Sequence, residues 1–365
     1  MSDKKLTLLL PGYTTQRLPV VDQWQQEAEL ASGMAGSPAV DNPAHAAFRF
    51  FDDQERSPWQ AQLAQILKLD TAGGKRLPGA RLGLLDQQER SLPPEFSHVG
   101  TLVRADPICL KADRDSATLL SPEQLRLTDD ESAQLITALN AFVAEDNLIF
   151  FSLGPCEWYL SGRCADTLES YPPSFLGNRN ASSFLPDGDE AAPWRRLMTE
   201  IQMLLHAHPV NQLREQRGLM PVNSVWFWGG APLPIASEAA ADVVLYADER
   251  QARSWAGHLG ITCWPLSKLT ADLDNLPAVS EIVVLDLSIV KAWLTADALL
   301  LESELVRVDE QWLQPLSLRV SGGQLEQVDL MTEDGLQGIC TPQTLPAKTT
   351  FWRLWLHRLG NRFQR

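Results

Sequence analysis

The sequence predicts an α/β protein, a sheet covered by helices on both faces with a smaller α+β subdomain inserted in the middle. Three observations carry this. Continuous apolar runs occur early and late, at Leu6–Leu10, Val243–Tyr246 and Ile282–Leu285. Such runs are the mark of strands buried on both faces, where a half-solvated strand would alternate. Segments of helical periodicity follow the late runs, and the hairpin-like pieces lie between the early and late ones.

Taken in order, Leu6-Thr7-Leu8-Leu9-Leu10 is the first strand, stopped by Pro11-Gly12. From Pro19 to about Leu67 the pattern is helical, with breaks near Gly33–Pro38 and Ser57-Pro58. Asp70–Ser97, rich in Gly and Pro, reads as a long connection. Short strands at Ile108–Leu110 and Ala117–Leu120 flank the turn Asp113-Arg114-Asp115. Thr128-Asp129-Asp130-Glu131 is a capping box: the Thr hydroxyl accepts the Glu131 amide and the Glu carboxylate returns to the cap. Leu135, Ile136, Leu139, Phe142 and Val143 behind it form one apolar helical stripe. Leu148–Phe151, Trp158–Leu160 and Val225–Phe227 read as strands, with helices resuming near Trp194. Gln251–Leu259 is the helix after Val243–Tyr246, and another runs through Leu301–Leu305. The expected division is a core of residues 1–97 and 220–365 around an insertion of residues 98–219.

The 365 residues carry 46 acidic and 31 basic side chains, a formal charge of −15. A surface that negative repels a phosphate backbone, so nucleic acid is excluded as a partner. A local arginine pocket remains compatible with a small anion. The 5 cysteines have no paired spacing, which points to buried thiols in a reducing compartment. No apolar run has the length of a membrane span or a secretory h-region, and the expected location is the cytoplasm.

The most specific segment is His208-Pro209-Val210-Asn211-Gln212-Leu213-Arg214, then Gly218, then Asn223-Ser224-Val225-Trp226-Phe227-Trp228-Gly229-Gly230. This spacing resembles the signature of archaeal-type cofactor-independent phosphoglycerate mutases, members of the alkaline-phosphatase superfamily. Pro172-Pro173, Gly177, Arg104-Ala105-Asp106 and Asp113-Arg114-Asp115 fall in the family's order. The strong part covers about Tyr171–Pro234, and the whole chain also resembles the degenerate bacterial homologues of that mutase known as RpfE-type proteins. The resemblance implies an alkaline-phosphatase-like, mostly parallel sheet. It also implies two divalent metals and a phosphorylated Ser or Thr, with an Asp closing the first strand.

The sequence departs from that chemistry. Its first strand ends in Leu10-Pro11-Gly12-Tyr13, where the family has Asp-Gly, and Pro11 has no metal-binding side chain. None of His45, His98, His206, His208, His258 or His357 lies in a DxxGH or HxxxD setting. Asp286 is followed by Leu287-Ser288-Ile289-Val290 in place of a His-rich loop. Two metals stabilise attacking and leaving oxygens together, and without their ligands the reaction fails. The sequence therefore predicts no catalytic residue, no metal and no cofactor.

The candidate ligand-binding residues are Arg104, Arg114, His208, Asn211, Arg214, Asn223, Trp226 and Trp228. The arginines are candidates for a phosphorylated or carboxylate small molecule, as bidentate forks. Equally, the amides can tie buried turns, the rings can fill a core and the arginines can pair with nearby carboxylates. His206-x-His208 has no third ligand near it. Phe351, Trp352, Trp355, Leu356 and Leu359 make a C-terminal apolar stripe edged by arginines, able to meet a protein partner or dock on the chain's own acidic body. The leading functional expectation is a catalytically degenerate mutase-like protein that regulates by binding a ligand or partner. The alternative is an enzyme acting on a phosphorylated small molecule.

Overall fold

The computed structural model describes residues 4–11, 49–50, 58–69, 75–85, 102–112, 117–162, 168–176, 180–186, 191–233, 242–271, 273–295, 298–332 and 335–343. Arg114, Gly177, most of the Pro19–Leu67 segment and the Phe351–Leu359 stripe lie outside them. The chain forms two compact units, one of residues 1–59, 239–249 and 260–365, the other of residues 60–238 and 250–259. Along the chain the strands are β1 (Lys5–Leu9), β2 (Arg49–Phe50), β3 (Leu102–Ala112), β4 (Ala117–Leu120), β5 (Ile149–Gly154) and β6 (Glu157–Ser161). They continue with β7 (Ser224–Trp228), β8 (Val243–Ala247), β9 (Thr262–Trp264), β10 (Glu281–Leu285), β11 (Gln327–Thr332) and β12 (Gly335–Cys340).

The first unit holds a mixed, mostly parallel sheet of seven strands in the order β2-β12-β11-β1-β10-β8-β9. β11, β1, β10, β8 and β9 are parallel, and β12 and β2 add an antiparallel edge. In register, Leu6 faces Ile282 and Val328, and Leu8 faces Val284 and Leu330. These residues share one core with Val244, Tyr246 and the helical Ile289, Leu301, Val308, Trp312, Leu316 and Val320. The alternate residues Thr7, Leu9, Leu245, Val283 and Leu285 are buried as well. Burial on both faces is why these strands read as unbroken apolar runs.

The second unit is organised on β3, which is 11 residues long. It pairs antiparallel with β6 at its start, β7 along Arg104–Ile108 and β4 at its end, in a five-stranded sheet. Pro107 stands opposite Val225 inside this pairing, which is why local pattern marks only the Ile108–Leu110 portion of the strand. The helix Asp129–Phe142 starts at the expected capping box, with the Thr128 Oγ1 accepting the Glu131 N–H at 3.2 Å and Glu131 Oε2 accepting the Thr128 N–H at 3.1 Å. Because β7 belongs to the β3 sheet, the second unit extends past the expected return at residue 220 to residue 238. The helix Arg250–Leu259, which follows β8 in sequence, also belongs to it. An apolar run such as Val225–Phe227 suits either sheet, and its partner is chosen by the distant Arg104–Ile108 edge.

The short helix Gly79–Leu85 lies close against this sheet through two glycines one turn apart. A Cβ on Gly79 would sit 2.4 Å from Trp228 Cζ3, and one on Gly83 2.2 Å from the Tyr159 hydroxyl. Alanine ordinarily favours a helix over glycine by up to about 1 kcal/mol, so a loss on Gly→Ala would report the close approach alone. Gly79→Ala is expected to destabilise by about 1–3 kcal/mol in urea unfolding, as overpacking does; an unchanged or raised midpoint would contradict the packing.

Candidate functional site

The motif residues that the sequence marks are placed as internal ties of the second unit. Arg214, fully buried on the helix Pro209–Gln216, donates to Glu131 Oε2 at 2.6 Å, the Leu125 carbonyl at 2.5 Å and the Met220 carbonyl at 2.9 Å. The Asn211 amide donates to the carbonyls of Leu205 and Val222 and accepts the Val222 N–H, each at 2.8 Å. Asn223 forms a two-bond clasp on Leu110, accepting its N–H at 2.7 Å and donating to its carbonyl at 2.9 Å. Trp226 Nε1–H donates to the Tyr171 carbonyl at 2.8 Å. His208 caps the helix, its Nδ1 accepting the Val210 N–H at 3.2 Å, and burial lowers its pKa toward the neutral acceptor form this bond requires.

Arg104 and Trp228 belong to a second buried group. Arg104 Nε and Nη2 donate to Asp106 Oδ1 at 2.9 and 2.5 Å, while Nη1 reaches Glu157 Oε1 at 2.9 Å and the Tyr159 hydroxyl at 3.2 Å. Trp228 Nε1–H donates to Asp106 Oδ2 at 2.6 Å, and Arg250 pairs with the other Glu157 oxygen. The guanidinium also lies 4.9 Å from the Tyr159 ring centroid. Burial pushes the Asp106 carboxyl up to about 6, against the pull of Arg104. Glu157 is also penalised by burial, yet Arg104, with the Tyr159 and Arg250 hydrogen bonds, brings it below the usual carboxylate range. With Gly79 and Gly83 packed over Trp228 and Tyr159, this group is closed. Its guanidinium serves the fold.

The open site is in the first unit, at the carboxyl ends of β8 and β10. From there the chain leaves β8 toward β9 and β10 toward β11, on opposite sides of the pair. Where adjacent parallel strands send their connections apart, a crevice opens in which ligands bind. The crevice here is about 370 Å³ and is lined by Asp248, Glu249, Asp286, Ser288, Lys291, Glu304, Arg307, Gln311 and Trp312, with Leu266, Leu285 and Leu287 among its apolar walls.

Asp286 is its anchor. The carboxylate is buried, and its Oδ1 accepts the Ser288 N–H at 2.9 Å, at the start of the helix Ser288–Thr295. Its Oδ2 takes Arg307 Nη2 at 2.7 Å and Trp312 Nε1–H at 2.8 Å. A π-helical turn at Asp309–Leu313 follows the helix Ala298–Val308, and the wider turn stacks i on i+5, so Arg307 and Trp312 reach the same oxygen. Arg307 also donates to Glu304 at 2.5 Å and to Gln311 and Ser288. Desolvation alone would raise the Asp286 pKa, but the Trp312 and Arg307 hydrogen bonds and the Ser288 amide bring it below the usual range. Arg307 and Trp312 stand 21 and 26 residues from Asp286, so no local motif announced them. An acid closing an apolar strand was the one available signal.

Among the described residues, the donors here do not fit the metals implied by the resemblance. β1 runs out in Leu10-Pro11, which offers no ligand. Asp286 already holds three N–H donors, and the Arg307 guanidinium puts a positive charge against it, which repels a metal cation at the same carboxylate. Among the described residues no three His, Cys, Asp or Glu side chains come together to hold a metal ion.

Comparison with known proteins places a likeness beside this geometry. The chain resembles the 2,3-bisphosphoglycerate-independent phosphoglycerate mutases as a divergent relative. It is 38% identical over 71 residues to the enzyme of Methanothrix thermoacetophila, covering 20% of this chain and 18% of that one. It is 24% identical over 147 residues to a probable enzyme of this kind from Geobacter sulfurreducens, covering 40% and 36%, and 26% over 153 residues to that of Methanosarcina barkeri, covering 39% and 37%. The matched part thus spans little more than a third of these relatives at most. Among solved structures, the cofactor-independent phosphoglycerate mutase of Thermoplasma acidophilum aligns over 93% of this chain and 89% of that one, at 16% identity and a TM-score of 0.41. A protein from Pyrococcus horikoshii aligns over 93% and 88%, at 11% identity and 0.45. No family model matches the chain.

Two measurements follow from these ties. Arg214→Ala leaves Glu131 and two carbonyls without their donor, and is expected to cost about 3 kcal/mol or more in urea unfolding. Arg214→Lys, a point charge in place of a fork, should recover only part of that; wild-type stability in the alanine variant would contradict the assignment. Asp286 is held below its ordinary 3.8, so its stabilisation is present above that value and is lost as pH falls through the lower, folded one. The stability gap between the wild type and Asp286→Asn should therefore be full at neutral pH and close below about pH 3.8. A gap independent of pH would show that the charge of Asp286 contributes nothing.

Proposed function

We propose that this protein is a phosphoglycerate-mutase-like binding protein that no longer performs metal-dependent phosphoryl transfer and that regulates by holding a small ligand in the crevice at the ends of β8 and β10. The observation that supports this reading is the engagement of Asp286. A cation of the chain itself, Arg307, stands on the acid that closes the strand beside β1. Metal-assisted phosphoryl transfer needs such an acid free for a metal that clamps the attacking and leaving oxygens. Pro11 after β1 supports the same reading. The reading places the protein in the cytoplasm, in keeping with Cys109 and Cys156 being free thiols.

The test is turnover. The full chain, incubated with 3-phosphoglycerate and Mn²⁺ or Mg²⁺ and coupled to consumption of 2-phosphoglycerate, is expected to give no rate above the protein-free control. A metal-dependent rate that disappears on treatment with a chelator would overturn the reading and favour the enzyme acting on a phosphorylated small molecule.

A further inference from the structure

The charges of the crevice are not those of a phosphate site. Its walls carry the carboxylates Asp248, Glu249, Asp286 and Glu304 against the cations Lys291 and Arg307. More telling is what holds the seat an anion would take. A helix-start N–H at Ser288, an indole N–H and a guanidinium converge on one point, the arrangement that receives an oxyanion. All three receive Asp286. Arg307 also donates to Glu304, Gln311 and Ser288. The chain thus supplies its own anion, and an arriving phosphate would meet carboxylates whose partners are already taken.

The groups left to meet a ligand have the opposite preference. Among the described residues Glu249, half-buried on the wall, has no hydrogen-bond partner, and the exposed Asp248 accepts the Leu266 N–H alone, at 3.2 Å. Beside them Leu285 and Leu287 are buried apolar walls. Lys291 is exposed, and an ammonium on a flexible stem can turn into solvent. The volume of about 370 Å³ suits a small molecule.

We propose that the crevice binds a small organic cation, an amine or guanidinium on a short apolar stem, with its charged head on Glu249 and Asp248 and its stem along Leu266, Leu285 and Leu287. This inference rests on the reading of the crevice as the binding site and changes the expected ligand from an anion to a cation. Ammonium–carboxylate hydrogen bonds are charge-assisted and stronger than neutral ones. The net charge of −15 draws such a ligand in from a distance.

The experiment is isothermal titration of the full chain with putrescine, agmatine, inorganic phosphate and 3-phosphoglycerate, at low and at physiological salt, without metal. Putrescine or agmatine is expected to bind one per chain, more weakly as salt rises. Glu249→Gln, a half-exposed change outside every tie described above, should weaken that binding by about tenfold, the loss of one charge-assisted bond. Phosphate and 3-phosphoglycerate should give no binding heat. Binding of the anions without the amines would overturn the cation and leave the crevice as the site. Amine binding unchanged in Glu249→Gln and Asp248→Asn would place it elsewhere and overturn the proposal. Silence with all four probes would overturn the crevice reading together with it.

Discussion

A single buried carboxylate organises the crevice end of the first unit. Asp286 sits where β10 leaves the sheet, and its own N–H is hydrogen-bonded to Leu9 at the end of β1. Through its side chain it fixes the start of one helix at Ser288, the end of the next at Arg307 and the π-turn at Trp312. An ionised acid in that position must be paired, because an unpaired buried charge costs several kcal/mol. The sequence supplies the pairing from helices that follow it in the chain. That choice has a chemical consequence. Asp286 is thereby a structural hub, and the charged side chains lining the crevice outside its network with Arg307 and Glu304 are Asp248, Glu249 and Lys291.

The second unit applies the same rule twice. Arg214 is held by Glu131 and two carbonyls, and Arg104 by Asp106 and Glu157. Glu131 serves both as the return half of a capping box and as the partner of Arg214, so the start of one helix and the last turn of another share a residue. Of the β7 indoles, Trp228 joins the Arg104 group by donating to Asp106, and Trp226 donates to the Tyr171 carbonyl. A motif of Asn, Arg and Trp here fastens the fold from within.

How far the sequence foretold this depends on the distance between partners. Of the parallel strands, β1, β8 and β10 were legible because they are buried on both faces and read as unbroken apolar runs, whereas the partly exposed β9 and the polar-flanked β11 were not. The capping box at Thr128 was legible because both halves lie within one turn. The placement of β7 was not, since Val225–Phe227 fits either sheet and its partner edge lies more than a hundred residues earlier. Among candidate site residues, Arg104, Asn211, Arg214, Asn223, Trp226 and Trp228 are all used, but as ties, and composition cannot tell a fork on a ligand from a fork on a buried glutamate. The crevice itself is drawn from residues that begin at Asp248 and end at Trp312, with no local motif joining them. The expected Arg114 and the C-terminal stripe lie outside the described residues.

The central claim is that Asp286 is occupied by Arg307 and is not open to a metal. Titrating the full chain with Mn²⁺ and following the free aqueous ion by electron paramagnetic resonance addresses that directly. The account predicts that the free signal rises in proportion to added Mn²⁺ from the first addition, with no tight site per chain, in the wild type and in Asp286→Asn alike. Two tightly bound Mn²⁺ per chain, lost in Asp286→Asn, would contradict it.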